Sequence, residues 1–146
     1  MDQFKIDHFS KANPGTPFPG FNSLSLQEGS AIRAELATRL GLSNTADGLV
    51  VLTKLREKAE SIPLNADDPD FNLVSAFAAL AITHSEHVLV NWYRFDRIDR
   101  LRFSDLSKFF TDLWYPVSDD IEIFDETVTW VLMVSHGGDL GLVRLP

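Results

Sequence analysis

Cysteine is absent from the 146 residues, which excludes disulfides, thiolate nucleophiles and cysteine-ligated metals. That absence fits a reducing compartment, and the cytoplasm is the expected location. No apolar run reaches the roughly 18 residues that span a bilayer as a helix. The first residues, with Asp2, Lys5, Asp7 and His8, hold no signal-peptide hydrophobic region. Positive charge is scarce: 13 Lys and Arg stand against 21 Asp and Glu, for a formal charge of −8. Such a chain repels a phosphate backbone, so neither nucleic acid nor membrane is an expected partner. Glycine-bearing catalytic signatures are missing too. His136-Gly137-Gly138 has no Gly-x-Ser-x-Gly nucleophile elbow to serve, the C-terminal acids do not match an EF-hand loop, and no repeat or low-complexity tract is visible. No cofactor and no metal is expected, and an enzyme is the less favoured class.

What is present is ordinary globular material. Apolar residues make up 45% and charged residues 23%, values typical of a folded domain. The length fits one domain over residues 1–146, burying roughly 68–70% of its unfolded surface. Within it, residues 1–24 read as an extended arm, because Pro14, Pro17 and Pro19 alternate with Gly15 and Gly20. Its four phenylalanines argue against a disordered tail.

Residues 25–82 read as helical. Ser25 with Glu28 forms a capping box, Ile32, Leu36 and Leu40 follow at four-residue spacing, and Gly41 terminates the helix. A second helix is predicted from Ala46 to Ser61 with Pro63 as its stop, and a third from Phe71 to Ile82 with Asp70 as its cap. Residues 86–95 carry apolar side chains at both parities, the pattern of an interior strand. Arg94, Arg97, Arg100 and Arg102 then fall in a connection, where Asp96 and Asp99 offer salt-bridge partners.

The last third organises the rest. Ser104 is a predicted N-cap, and Leu106, Phe109, Phe110 and Leu113 form one stripe at helical spacing that ends before Pro116. Ile121–Phe124, then Val128, Trp130, Leu132 and Val134, then Leu140–Leu145 read as a three-strand meander, with paired glycines at 137 and 138 in its last hairpin. The sum is an α+β fold. A mostly antiparallel four-stranded sheet, the meander plus the strand near 86–95, carries about four helices, and Leu140–Leu145 is the candidate open edge.

Two surfaces are candidates for work. Residues 104–146 hold eight acids against Lys108 and Arg144, or −6. Five of those acids, Asp119, Asp120, Glu122, Asp125 and Glu126, crowd beside Trp114 and Tyr115. That set reads as a protein-binding patch, with the two aromatics as anchors and the acids steering a basic partner. In size, acidity and lack of catalytic motifs the chain is similar to small bacterial immunity and antitoxin proteins, a likeness that rests on no shared residues. It implies an inhibitor that occludes a basic protein. The alternative is a small-molecule-binding domain or enzyme, with a pocket between the sheet and the N-terminal helices formed by His84, His87, Tyr93 and Arg94. A third reading, a structural subunit of a homo-oligomer, needs only an exposed strand edge.

Overall fold

The prolines near the N-terminus begin at Pro14, and the thirteen residues before them are free to coil. The computed structural model describes residues 1–146. Asp2 accepts a hydrogen bond from Phe4 N and caps α1 (Gln3–Ala12), so the predicted extended arm is half helix. Phe9 sits inside, edge-on to Phe18 and Phe109 at ring separations of 5.2 and 5.1 Å. Only after the proline-rich turn does the chain extend, into β1 (Phe21–Ser23).

The capping box forms as read, with Ser25 Oγ accepting from Glu28 N and Glu28 Oε2 from Ser25 N, and α2 (Leu26–Arg39) follows it. Asp47 caps α3 (Gly48–Lys58). This helix stops short of the predicted Ser61, because the next residues are taken by the sheet as β2 (Glu60–Asn65). Pro63 therefore ends no helix. It lies in an edge strand, within the register shift between Ile62 and Asn65, where a missing N–H breaks no ladder bond. Asn72, not Asp70, caps α4 (Leu73–Ala79).

The arginine-rich stretch is a strand rather than a connection: β3 (His87–Tyr93) turns directly into β4 (Arg97–Arg102). Asp99, fully buried on β4, accepts from Ser23 Oγ at 2.5 Å and Trp92 Nε1 at 2.9 Å and pairs with the Met1 amine at 2.8 Å. Arg100 and Arg102 pair with Glu126 and Glu86 instead of the interleaved aspartates. β4 feeds straight into α5 (Phe103–Lys108), and Phe103 N is spent on the Glu86 carbonyl. Arg102 therefore occupies the cap position and Ser104 caps nothing. The predicted single helix breaks at Phe109, φ −110° and ψ 24°, before α6 (Phe110–Leu113). The meander follows as β5 (Ile121–Phe124), β6 (Trp130–Val134) and β7 (Asp139–Arg144). In its last hairpin only Gly138 takes a positive φ, +86°, and a Cβ there would lie 2.1 Å from Asn65 Oδ1.

All seven strands join one antiparallel sheet in the order β1-β4-β3-β5-β6-β7-β2. The class is α+β as read, with six helices and seven strands in place of four and four. β7 is no edge, being paired to β6 and β2; the edges are β1 and β2. Helices cover both faces. One core joins Leu73, Phe77, Leu106, Phe110 and Leu113 to Val88, Val90, Ile123, Trp130 and Leu132. The other joins Leu36, Leu40, Val51, Leu52 and Leu55 to Leu89, Phe124, Val131 and Met133.

The turn between β3 and β4 is wedged between α2 and α3. Arg94 and Phe95 both have positive φ, 47° and 64°, a conformation that costs a branched or bulky residue energy unless its surroundings hold it. Two glycines make room: a Cβ on Gly29 would lie 2.6 Å from the Phe95 carbonyl oxygen, and one on Gly48 would lie 2.2 Å from that of Arg94. Backbone cannot swing aside as a side chain can. Gly48→Ala should therefore cost about 3 kcal/mol, the upper part of the usual overpacking range, whereas Gly20→Ala, with open space around it, should be tolerated. Comparable denaturation midpoints for the two variants would contradict this account of the wedge.

Candidate cleft between helix 3 and the sheet

Alternation on β5 places Ile121 and Ile123 in the first core and turns Glu122 toward the α2–α3 face. The cross-strand registers put Asn91, Glu122, Met133, Gly141 and Ser61 in one row running from β3 to the β2 edge. α3 ends at Lys58, so part of that row is not roofed by helix. Gly141 contributes no side chain, and Ala59 closes on it so tightly that an added Cβ would meet Ala59 Cβ at 3.0 Å. The result is a cleft of about 270 Å³ floored by Glu122, Met133 and Gly141. Ala59 and Met133 supply its apolar side chains, while Ile121, Val134 and Leu140, whose side chains belong to the core on the other face, border it through their backbone, and Arg56, Asp120 and Asp139 also line it. A second cleft of about 340 Å³, between the N-terminal turn of α3 and the β3–β4 turn, shares Arg56, Asp120 and Glu122 and adds Trp92, Tyr93 and Arg94.

Glu122 is the unusual group. It is only 3% exposed. Its Oε2 accepts from Asn91 Nδ2 at 2.6 Å, and Asn91 Oδ1 accepts from Phe95 N at 2.8 Å. No protein group donates to Oε1, and no cation stands within salt-bridge distance. Burial pushes the carboxyl from 4.5 up to about 7, against the opposing pull of the Asn91 hydrogen bond and the Arg56 charge; Asp120 adds to the rise. A buried carboxyl poised near neutrality in a cleft is a recognised mark of a functional site. The sequence reading placed Glu122 among exposed acids, because alternation between two isoleucines is also the pattern of a solvent-facing position.

The seven residues of the predicted patch do not form one exposed face. Trp114 is interior, stacked on Phe110 and donating from Nε1 to the Asp119 carbonyl at 3.0 Å. Tyr115 lies over Lys5 Nζ at 3.9 Å. Burial and then the charges of Asp119, Asp112 and Asp2 raise its phenol above the ordinary value. Asp119 pairs with Lys5 at 2.5 Å and accepts from Tyr115 N at 2.9 Å. Asp120 accepts from His136 N at 2.7 Å and meets its Nδ1 at 2.9 Å. Asp125 is buried as a turn cap, accepting from Ser85 N and Thr127 N. Glu126 reaches out toward Arg100, and Asp120 is the other exposed acid of the five. Local turn geometry thus absorbs most of the charge that the sequence displays as a cluster.

The alternative quartet is also divided. Tyr93 and Arg94 line the second cleft, but His84 packs tilted on Phe103 at 3.8 Å and edge-on to Phe77, against the opposite core. His84 and His87 gain no third ligand, and no three His, Asp or Glu side chains are grouped to hold a metal ion. Arg56, Ser61, Asn91 and Gly141 were not anticipated. Their association arises from strand register and from β2, an element read as the end of a helix. No helix is long and apolar enough to cross a membrane.

The fold and cleft together define an α+β protein with a helix-covered antiparallel sheet and a buried acid at the helix–sheet junction. No protein-family model matches the chain, and comparisons with curated proteins and with solved structures found no match.

Proposed function

We propose that the protein is a small-molecule-binding domain whose ligand occupies the cleft over β5, β6 and β7 beside the C-terminal end of α3. The supporting observation is Glu122: a carboxyl with one oxygen that no protein group supplies is held in the interior at the floor of a concave site. Asn91 donates to Oε2 alone, so Oε1, which no protein group supplies, is the hydrogen-bonding position a ligand in the cleft would complete. The cleft volume of about 270 Å³ lies just under the roughly 300–1,000 Å³ of drug-sized sites, which favours a compact ligand. The test is a screen of small organic fragments followed by amide and methyl NMR shifts. Perturbations should cluster on Ala59, Ile121, Met133, Leu140 and Gly141. Hits confined to other surfaces, or none, would overturn the assignment.

The formal charge of −8 supports a second reading, an immunity- or antitoxin-type module that occludes a basic partner. Electrostatic steering would then act through the whole field of the protein rather than through one acidic patch. Its mark would be an association rate that falls as salt shortens the Debye length from about 10 Å at 0.1 M to about 3 Å at 1 M.

A further inference from the structure

Building on the cleft assignment above, we infer that its ligand is a small organic cation, a protonated amine on a short apolar body, with the ammonium seated on Glu122 Oε1. Three independent features converge on that chemistry. The floor offers an acceptor and no strong donor, since Oε1 receives nothing from the protein while Asn91 already supplies Oε2. The rim carries Asp120 and Asp139 against the single cation Arg56, inside a protein of net charge −8, so the local field draws cations and repels anions. The apolar side chains on the cleft's own side of the sheet are the Ala59 methyl and the Met133 thioether, a small carbon surface suited to a short hydrocarbon rather than a sugar or a nucleotide.

Arg56 has a defined place in this arrangement. It acts on Glu122 through its charge without reaching salt-bridge distance, and it stands between the two clefts. It is a weak stand-in for the ligand cation. An arriving ammonium would form the short charge-assisted hydrogen bond that the guanidinium does not make. Arg56 on α3, Asn91 on β3 and Asp120 before β5 act on the Glu122 charge, while Asp139 on β7 lines the same cleft and Tyr93 at the end of β3 and Arg94 in the turn after it line the neighbouring one. Because the carboxyl titrates near 7, the ligand should bind its ionised form and release a proton on binding at lower pH.

The experiment compares benzylamine with benzoate, by NMR titration of the whole chain at pH 6 and pH 8. Benzylamine should shift cleft signals, with an affinity about tenfold higher at pH 8 than at pH 6, as expected for a site whose acid ionises near 7. Glu122→Gln preserves shape and the Asn91 hydrogen bond but removes the charge, and should weaken benzylamine at least tenfold. Arg56→Gln, at an exposed position, should strengthen it by removing a like charge. If benzoate binds in the cleft instead and is lost in Arg56→Gln, the cation class is wrong while the cleft assignment stands. If neither probe nor any fragment perturbs the cleft, both fall.

Discussion

Glu122→Gln is expected to leave stability at pH 4 nearly unchanged and to raise it by about 3 kcal/mol at pH 8. The folded-state carboxyl ionises near 7 against an ordinary 4.5. Between those values the folded protein holds a proton that the unfolded chain has released, so stability falls as pH rises through this window. Above 7 both states are ionised and the whole cost of the buried charge is present. Each pKa unit is about 1.4 kcal/mol, and the displacement gives the stated figure. Glutamine carries no charge and can accept the Asn91 hydrogen bond, so the variant should lose this part of the pH dependence. Urea unfolding of both proteins at pH 4, 6 and 8 measures it directly. Equal differences at all three values would show that Glu122 is not a buried titrating acid.

Trp130→Ala should cost roughly 3–5 kcal/mol, the range for truncating a large buried aromatic. For a chain of this length that lowers the melting temperature by about 10 °C or more. Trp130 is buried mid-sheet on β6, edge-on to Phe77 at 5.4 Å, in the core under α4 and α5. Its indole N–H has no hydrogen-bond partner, and that sets a second expectation. Trp130→Phe loses ring area but also removes a buried unpaired donor worth about 1–3 kcal/mol, so the two effects oppose and the cost should be well below that of alanine. Differential scanning calorimetry of the two variants separates the contributions. An alanine variant melting within a few degrees of the parent protein would remove Trp130 from the core.

Local signals were accurate where a short segment carries its own stopping chemistry. The Ser25–Glu28 capping box, Gly41 at the end of α2, the strand Ile121–Phe124 and the two-sided burial of β3 all follow from neighbouring residues. Signals failed where a segment could satisfy its backbone in more than one way. Glu60–Asn65 could extend α3, yet β7 offers it a ladder, and strand pairing wins. Arg97–Arg102 looks like a solvated loop by charge, but Ile98, Asp99 and Leu101 point inward and the arginines lie at the opposite parity or at the rim. Ser104 has cap chemistry, but the strand before it leaves no turn in which to use it. Of the candidate cleft, the sequence singles out only Asp120 and Glu122; Tyr93 and Arg94 line the neighbouring one, and both clefts join residues distant in the chain.

The sequence by itself determined the α+β class, the placement of most helices and of the C-terminal meander, and the net acidity, because these depend on spacing and composition within a few turns of chain. Tertiary structure decided which face of each strand is covered. With helices on both sides of the sheet, an alternating acid that would be solvated on a one-sided sheet becomes an interior carboxyl. No local pattern distinguishes Glu122 on a covered face from Glu122 in water; the difference is made by the packing of α3 on that face of the sheet.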